Sequence, residues 1–88
     1  MAQGENIVPR FVVEVISTND QMIKVQDKMR NYREAGVPVI WQIFPPLEEV
    51  HVYQGRNMTI CKGDDLCSAT AAIPDFILPA KDVFKKPQ

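Results

Sequence analysis

Phe11-Val12-Val13-Glu14-Val15-Ile16 is a β-branched apolar run broken once, by a carboxylate. The run reads as a strand over residues 10–16, of the kind covered on both faces. A carboxylate buried there without a partner costs several kcal/mol, so Glu14 is expected to meet a cation, a metal or a proton. The next four residues, Ser17-Thr18-Asn19-Asp20, turn the chain and offer Asp20 as a helix cap.

Working outward, the helix is expected from Gln21 to Ala35. It stops at Gly36, with Arg33 near its C-terminus favouring the helix dipole. Pro38 opens a second strand, Val39-Ile40-Trp41-Gln42-Ile43-Phe44, which Pro45-Pro46 ends. A hairpin follows, Val50 to Tyr53 and Met58 to Cys61, joined by a polar turn at Gln54-Gly55-Arg56-Asn57. Lys62-Gly63-Asp64-Asp65 reads as another turn, and Ile73 to Pro79 as a short extended segment. Phe76 and Leu78 would close the bottom of the core, with Val83-Phe84 in a last helical turn. Strand, helix and strand with short connections make a right-handed crossover. The fold class is therefore α+β: a mixed sheet with one main helix after the first strand. One helix covers one face, so something else must cover the other.

At about 100° per residue, Met22, Val25, Met29, Tyr32 and Ala35 fall within an arc of roughly 140°, the face expected to pack on the sheet. Lys28 projects inside that arc. It must snorkel outward or aim its ammonium at an anion, and Glu14 on the preceding strand can supply one. Spacing alone leaves two readings, a structural Glu14–Lys28 ion pair or a site.

Bulk properties restrict the rest. The 88 residues make one small domain, near the size at which a single core only just suffices. We divide them into a lead-in over 1–8, a domain over 9–84 and a tail over 85–88. Formal net charge is −1, which gives no general attraction to nucleic acid. Lys24, Lys28, Arg30 and Arg33 form the only basic cluster, largely offset by Asp20, Asp27 and Glu34. No apolar run approaches a membrane span, and the polar start lacks signal-peptide character, so a cytoplasmic protein is expected. Cys61 and Cys67 match no zinc or thiol-redox spacing and read as reduced structural thiols. His51, on the hairpin, reads as an exposed imidazole, Trp41 as core or edge packing, and Met22 and Met29 as the helix stripe.

From Pro9 to Phe84 the chain resembles the C-terminal part of a bacterial restriction-endonuclease-like family, abundant in cyanobacteria, within the PD-(D/E)XK nuclease superfamily. The matching stretches are Phe11 to Ser17, Asp20, Lys28 to Pro38, Trp41, Val50 to Tyr53 and Ile73 to Pro79. The resemblance implies a restriction-endonuclease-like mixed sheet, with Glu14 as a metal ligand and catalytic residue and Lys28 as its catalytic partner. In the family this lysine comes from the following helix rather than two residues after the acid. Ser17 would sit at the edge of the site as a substrate contact, and Mg²⁺ or Mn²⁺ would be the cofactor. DNA would be the partner, and phosphodiester hydrolysis the reaction.

The chain also departs from the family. Members are about twice as long, and their N-terminal half carries the first metal-binding aspartate, which nothing ahead of Glu14 matches here. Arg10 stands where an Asp often follows the leading proline, and Phe44 where an Asp commonly follows the tryptophan strand. The resemblance thus implies either an endonuclease-like domain weak or inactive alone, or a non-catalytic binding or oligomerisation module. A sheet left partly uncovered would favour homo-oligomers.

Overall fold

The structure, a computed structural model, describes residues 7–85. Most of the expected lead-in and the end of the tail lie outside the described residues. Six strands, β1 (Phe11–Val15), β2 (Val39–Phe44), β3 (Glu49–Gln54), β4 (Asn57–Lys62), β5 (Leu66–Ser68) and β6 (Ile77–Pro79), accompany helices α1 (Met22–Ala35) and α2 (Ala80–Val83). The main sheet runs β1-β2-β3-β4. β1 and β2 are parallel and the remaining pairs antiparallel.

The crossover and the hairpin fall where the sequence puts them. Gly36 ends α1 in the left-handed region at φ 90°, its N–H closing back onto the Arg33 and Tyr32 carbonyls. Met29, Val37 and Ile40 are buried between α1 and the sheet, joined by Val12, Tyr32 and Tyr53. Met22 and Ala35, at the two ends of α1, do not join this stripe and are exposed.

The opposite face is covered by the C-terminal third of the chain. Val39, Trp41, Val50, Val52 and Cys61 from the sheet pack with Cys67, Ala69, Ala72 and Ala80. The strand pair β5–β6 was not foreseen, because three-residue strands carry no readable alternation. Phe76 stacks on Trp41 with ring centroids 5.7 Å apart and planes 14° apart, and the Trp41 indole N–H donates to the Ser68 carbonyl at 3.1 Å. Cys61 and Cys67 are free and buried, and burial pushes the Cys67 thiol up to about 12.

Three expectations need correction. β1 is not covered on both faces: it is a sheet edge among the described residues, and Val13 and Val15 are 45% and 64% exposed. Asp20 does not cap α1, whose N-cap is Gln21 with no side-chain bond. Its carboxylate instead accepts from the Ser17 N–H at 2.8 Å, closing the turn before the helix. His51 is not a free surface imidazole. Its ring packs on Phe44 at 4.3 Å, and Nε2 meets Glu49 Oε1 at 3.2 Å. A histidine alternating with buried valines on an inner strand faces the side that α1 leaves partly open, where neighbouring side chains half-cover it.

Candidate active site

Strand alternation puts Val12, Glu14 and Ile16 on the face of the sheet that α1 covers. α1 crosses that face with Lys28 and Tyr32 one turn apart, so both reach the same point. The Lys28 ammonium donates to Glu14 Oε1 at 3.1 Å, and the Tyr32 hydroxyl donates to Glu14 Oε2 at 2.9 Å. One oxygen of the carboxylate is held by a cation and the other by a phenol.

This arrangement differs from a dry ion pair. The Glu14 side chain is 24% exposed and that of Lys28 63%, so the ammonium sits at a solvent boundary. Hydrogen bonding and the charge of Glu14 raise the Lys28 pKa. Burial raises that of Tyr32, helped by its bond to Glu14. At neutral pH Lys28 is charged and Tyr32 keeps its proton.

The pair opens onto a cleft of about 360 Å³ between the C-terminal end of β1 and the first turns of α1. Glu14, Ile16, Asp20, Lys24, Lys28 and Gln42 are among its walls. Ser17 is not. Its hydroxyl accepts from the Asn19 N–H at 2.9 Å within the turn at the edge of the cleft, between the lining residues Ile16 and Asp20.

Two members of the site escaped sequence reading. Tyr32 counted only as an apolar stripe residue, although a tyrosine four positions after a buried-face lysine can reach the same partner. Gln42 is 3% exposed, pairs in register with Glu14, and accepts from the Tyr53 hydroxyl at 3.1 Å. A glutamine inside an otherwise apolar strand, on the same face as Glu14, was the available signal.

A hard divalent ion wants several oxygen ligands. Both Glu14 oxygens are already engaged, Asp20 is the other carboxylate of the cleft, and one of its oxygens is tied to the turn. Among the described residues no group of three or more His, Cys, Asp or Glu side chains could hold a metal. The donors of a single copy do not fit Mg²⁺ or Mn²⁺.

The model of the Uma2 family, described as "Putative restriction endonuclease", matches residues 2–81. The chain belongs to this family. A crystal structure described as "a putative nuclease belonging to DUF820", from Anabaena variabilis, is similar to it over 89% of this chain, with a TM-score of 0.77 and 24% identity. That likeness shows the fold, a restriction-endonuclease-like mixed sheet with a helix after the first strand. The Uma2 chain spans 45% of the length of that Anabaena variabilis protein. No curated protein matches. Among the described residues no helix is long and apolar enough to cross a membrane.

Proposed function

We propose that this Uma2 chain, with residues 9–84 as its domain, is an endonuclease-like domain directed at DNA phosphodiester bonds, and that one copy alone cleaves weakly or not at all. The observation that carries this reading is the Glu14–Lys28–Tyr32 cluster at the mouth of a polar cleft. Lys28, with its ammonium at the solvent boundary, is placed to meet a phosphate oxyanion and stabilise charge that develops there. Glu14 holds that ammonium in place, and Tyr32 fixes the rotamer of Glu14. Lys24, on the same wall, adds a second positive charge. Ser17 would touch a phosphate only along the rim, through its hydroxyl proton. We assign no hydrolytic step to a bound metal ion, since the donor set of one copy is too small.

The second reading, a non-catalytic module that binds or assembles, is favoured by that same shortage of oxygen ligands. It also includes association of copies through the uncovered edge of β1, in a cytoplasmic setting. Calorimetric titration of Mn²⁺ into wild type and Glu14→Gln, with nicking of supercoiled plasmid, separates the two. Nicking that Glu14→Gln and Lys28→Met abolish supports the nuclease. Absence of both heat and nicking in the wild type leaves the binding module.

A further inference from the structure

The basic residues of α1 divide between two clefts. Lys24 and Lys28 line the cleft beside Glu14, whereas Arg30 and Arg33, in the last turns of the helix, line a second of about 480 Å³. The two clefts share no lining residue. At about 100° per residue Lys28 and Arg33 lie roughly 140° apart around α1, with the buried Met29 between them. The clefts therefore open on opposite flanks of the stripe that packs on the sheet.

A third cation reaches the second cleft from far along the chain. Arg56 belongs to the turn between β3 and β4, where Gln54 pairs with Asn57 and leaves Gly55 and Arg56 as a two-residue loop. Gly55 takes φ 61° there, as a loop this tight requires. Such a loop fixes the Cα of Arg56. Pro38, also in the lining, stiffens the connection from α1 to β2.

The charges gathered there are not neutralised. Arg30 shares Asp27 at 3.1 Å and keeps 61% of its side chain exposed. Among the described residues Arg33 and Arg56 take part in no ion pair. Glu34 is the single carboxylate of the lining, against three guanidiniums. In a chain of formal net charge −1 this is a local excess of the opposite sign. Like charges held together by the fold repel, and an anion placed among them removes that repulsion. A guanidinium presents a planar fork of N–H donors that meets phosphate oxygens in pairs. The C-terminal end of a helix disfavours an anion, but the Gly36 and Val37 N–H groups already bond to the Arg33 and Tyr32 carbonyls, which reduces the opposition.

We propose that the cleft of Arg30, Arg33 and Arg56 is a binding site for a phosphate-bearing ligand, separate from the Glu14–Lys28 cleft. Its volume lies in the range of small-ligand sites and takes the diphosphate of a nucleotide or neighbouring phosphates of a nucleic-acid strand. Both sources present the same oxygens. The site rests on the arginines and not on any cleavage.

Inorganic pyrophosphate and a short fluorescein-labelled DNA duplex are titrated separately into the full chain, in EDTA and at low salt. Wild type should bind at least one of them, and R33Q/R56Q should bind it at least tenfold more weakly. K62Q/K81Q removes the same charge at the far end of β4, where the Lys81 N–H meets the Gly63 carbonyl, and should lose less than threefold. Arg33 and Arg56 are exposed, so their double variant should keep the wild-type far-ultraviolet spectrum. R56Q alone, on its loop, should still lose at least threefold. Pyrophosphate binding governed by the arginine pair, with duplex binding that is not, assigns the cleft to free phosphates; the converse assigns it to the nucleic-acid backbone. No binding of either probe by wild type, or a loss in R33Q/R56Q no greater than in K62Q/K81Q, overturns the site. Duplex binding that only Lys28→Met weakens, with no pyrophosphate binding at the arginines, also overturns it and leaves the nuclease reading standing. Plasmid nicking, assayed apart, bears on that reading only.

Discussion

The Tyr32 hydroxyl reaches Glu14 Oε2 at 2.9 Å while Lys28 holds Oε1 of the same carboxylate, so a phenol and an ammonium divide one acid between them. Their contributions should differ. Tyr32 is half-buried, and the Tyr32→Phe change removes only the hydroxyl, for a loss of about 1 kcal/mol. Lys28→Met removes a charge at the solvent boundary and should move the urea midpoint less. A double-mutant cycle between Tyr32→Phe and Glu14→Gln should recover most of the Tyr32 effect as coupling.

Alkaline pH should weaken the fold through the same cluster. Tyr32 and Lys28 both have folded-state pKa values raised above their ordinary 10.0 and 10.5. In each case the folded state binds the proton more tightly than the unfolded chain does. Their contribution is therefore complete below pH 10 and is lost as pH rises through the folded values. Thermal midpoints measured from pH 8 to 11 should fall beyond pH 10, and by less in Tyr32→Phe. Phenolate absorbance should show both tyrosines ionising late, because burial raises Tyr53 as well as Tyr32.

The two thiols should be inert in the native protein. Burial raises the pKa of both, that of Cys67 to about 12, so the reactive thiolate is scarce at pH 8. An aromatic disulfide reagent should label neither cysteine in buffer and both in denaturant. Labelling at the unfolded rate without denaturant would contradict the packing described for β4 and β5.

Trp41 anchors the far side of the sheet and is the single tryptophan, so its emission reports on that packing. Trp41→Ala should cost about 3–5 kcal/mol, the usual range for a large buried aromatic. Phe76→Ala removes only the stacked ring, which is itself partly exposed. It should cost less and shift the tryptophan emission to the red.

Gly36→Ala should destabilise by about 1–2 kcal/mol, because φ of 90° is a left-handed conformation that a side chain resists. Nothing lies within 4 Å of the added carbon, so the loss would come from the backbone alone. Gly36→Asn, which tolerates this region better, should lose less than Gly36→Ala in a urea titration, as a backbone origin requires.

The first half of the fold was readable because its signals are local. Strand composition, a turn cluster, a 3.6-residue stripe and a glycine stop place β1, α1 and β2 within a residue or two. The convergence of Glu14 and Lys28 followed from the same periodicities. What covers the other face was not readable. Cys67, Ala69, Ala72 and Ala80 are small residues brought together by turns and three-residue strands, where no period can develop. The exposure of Val13 and Val15 escaped for a different reason. Composition reports that a strand can be buried, whereas its place at the edge of a sheet is a property of topology. Asp20 shows that a good capping residue can spend its carboxylate on the turn before the helix instead.

The Tyr53 hydroxyl has one further effect. By donating to Oε1 of Gln42 it pins the direction of the amide dipole, and the two amide hydrogens become what this wall of the cleft can present. A wall of that polarity welcomes a carbonyl or phosphoryl oxygen and turns away a protonated amine. The polarity of this wall is thus set in part by a phenol on β3, one strand beyond the glutamine that lines the cleft.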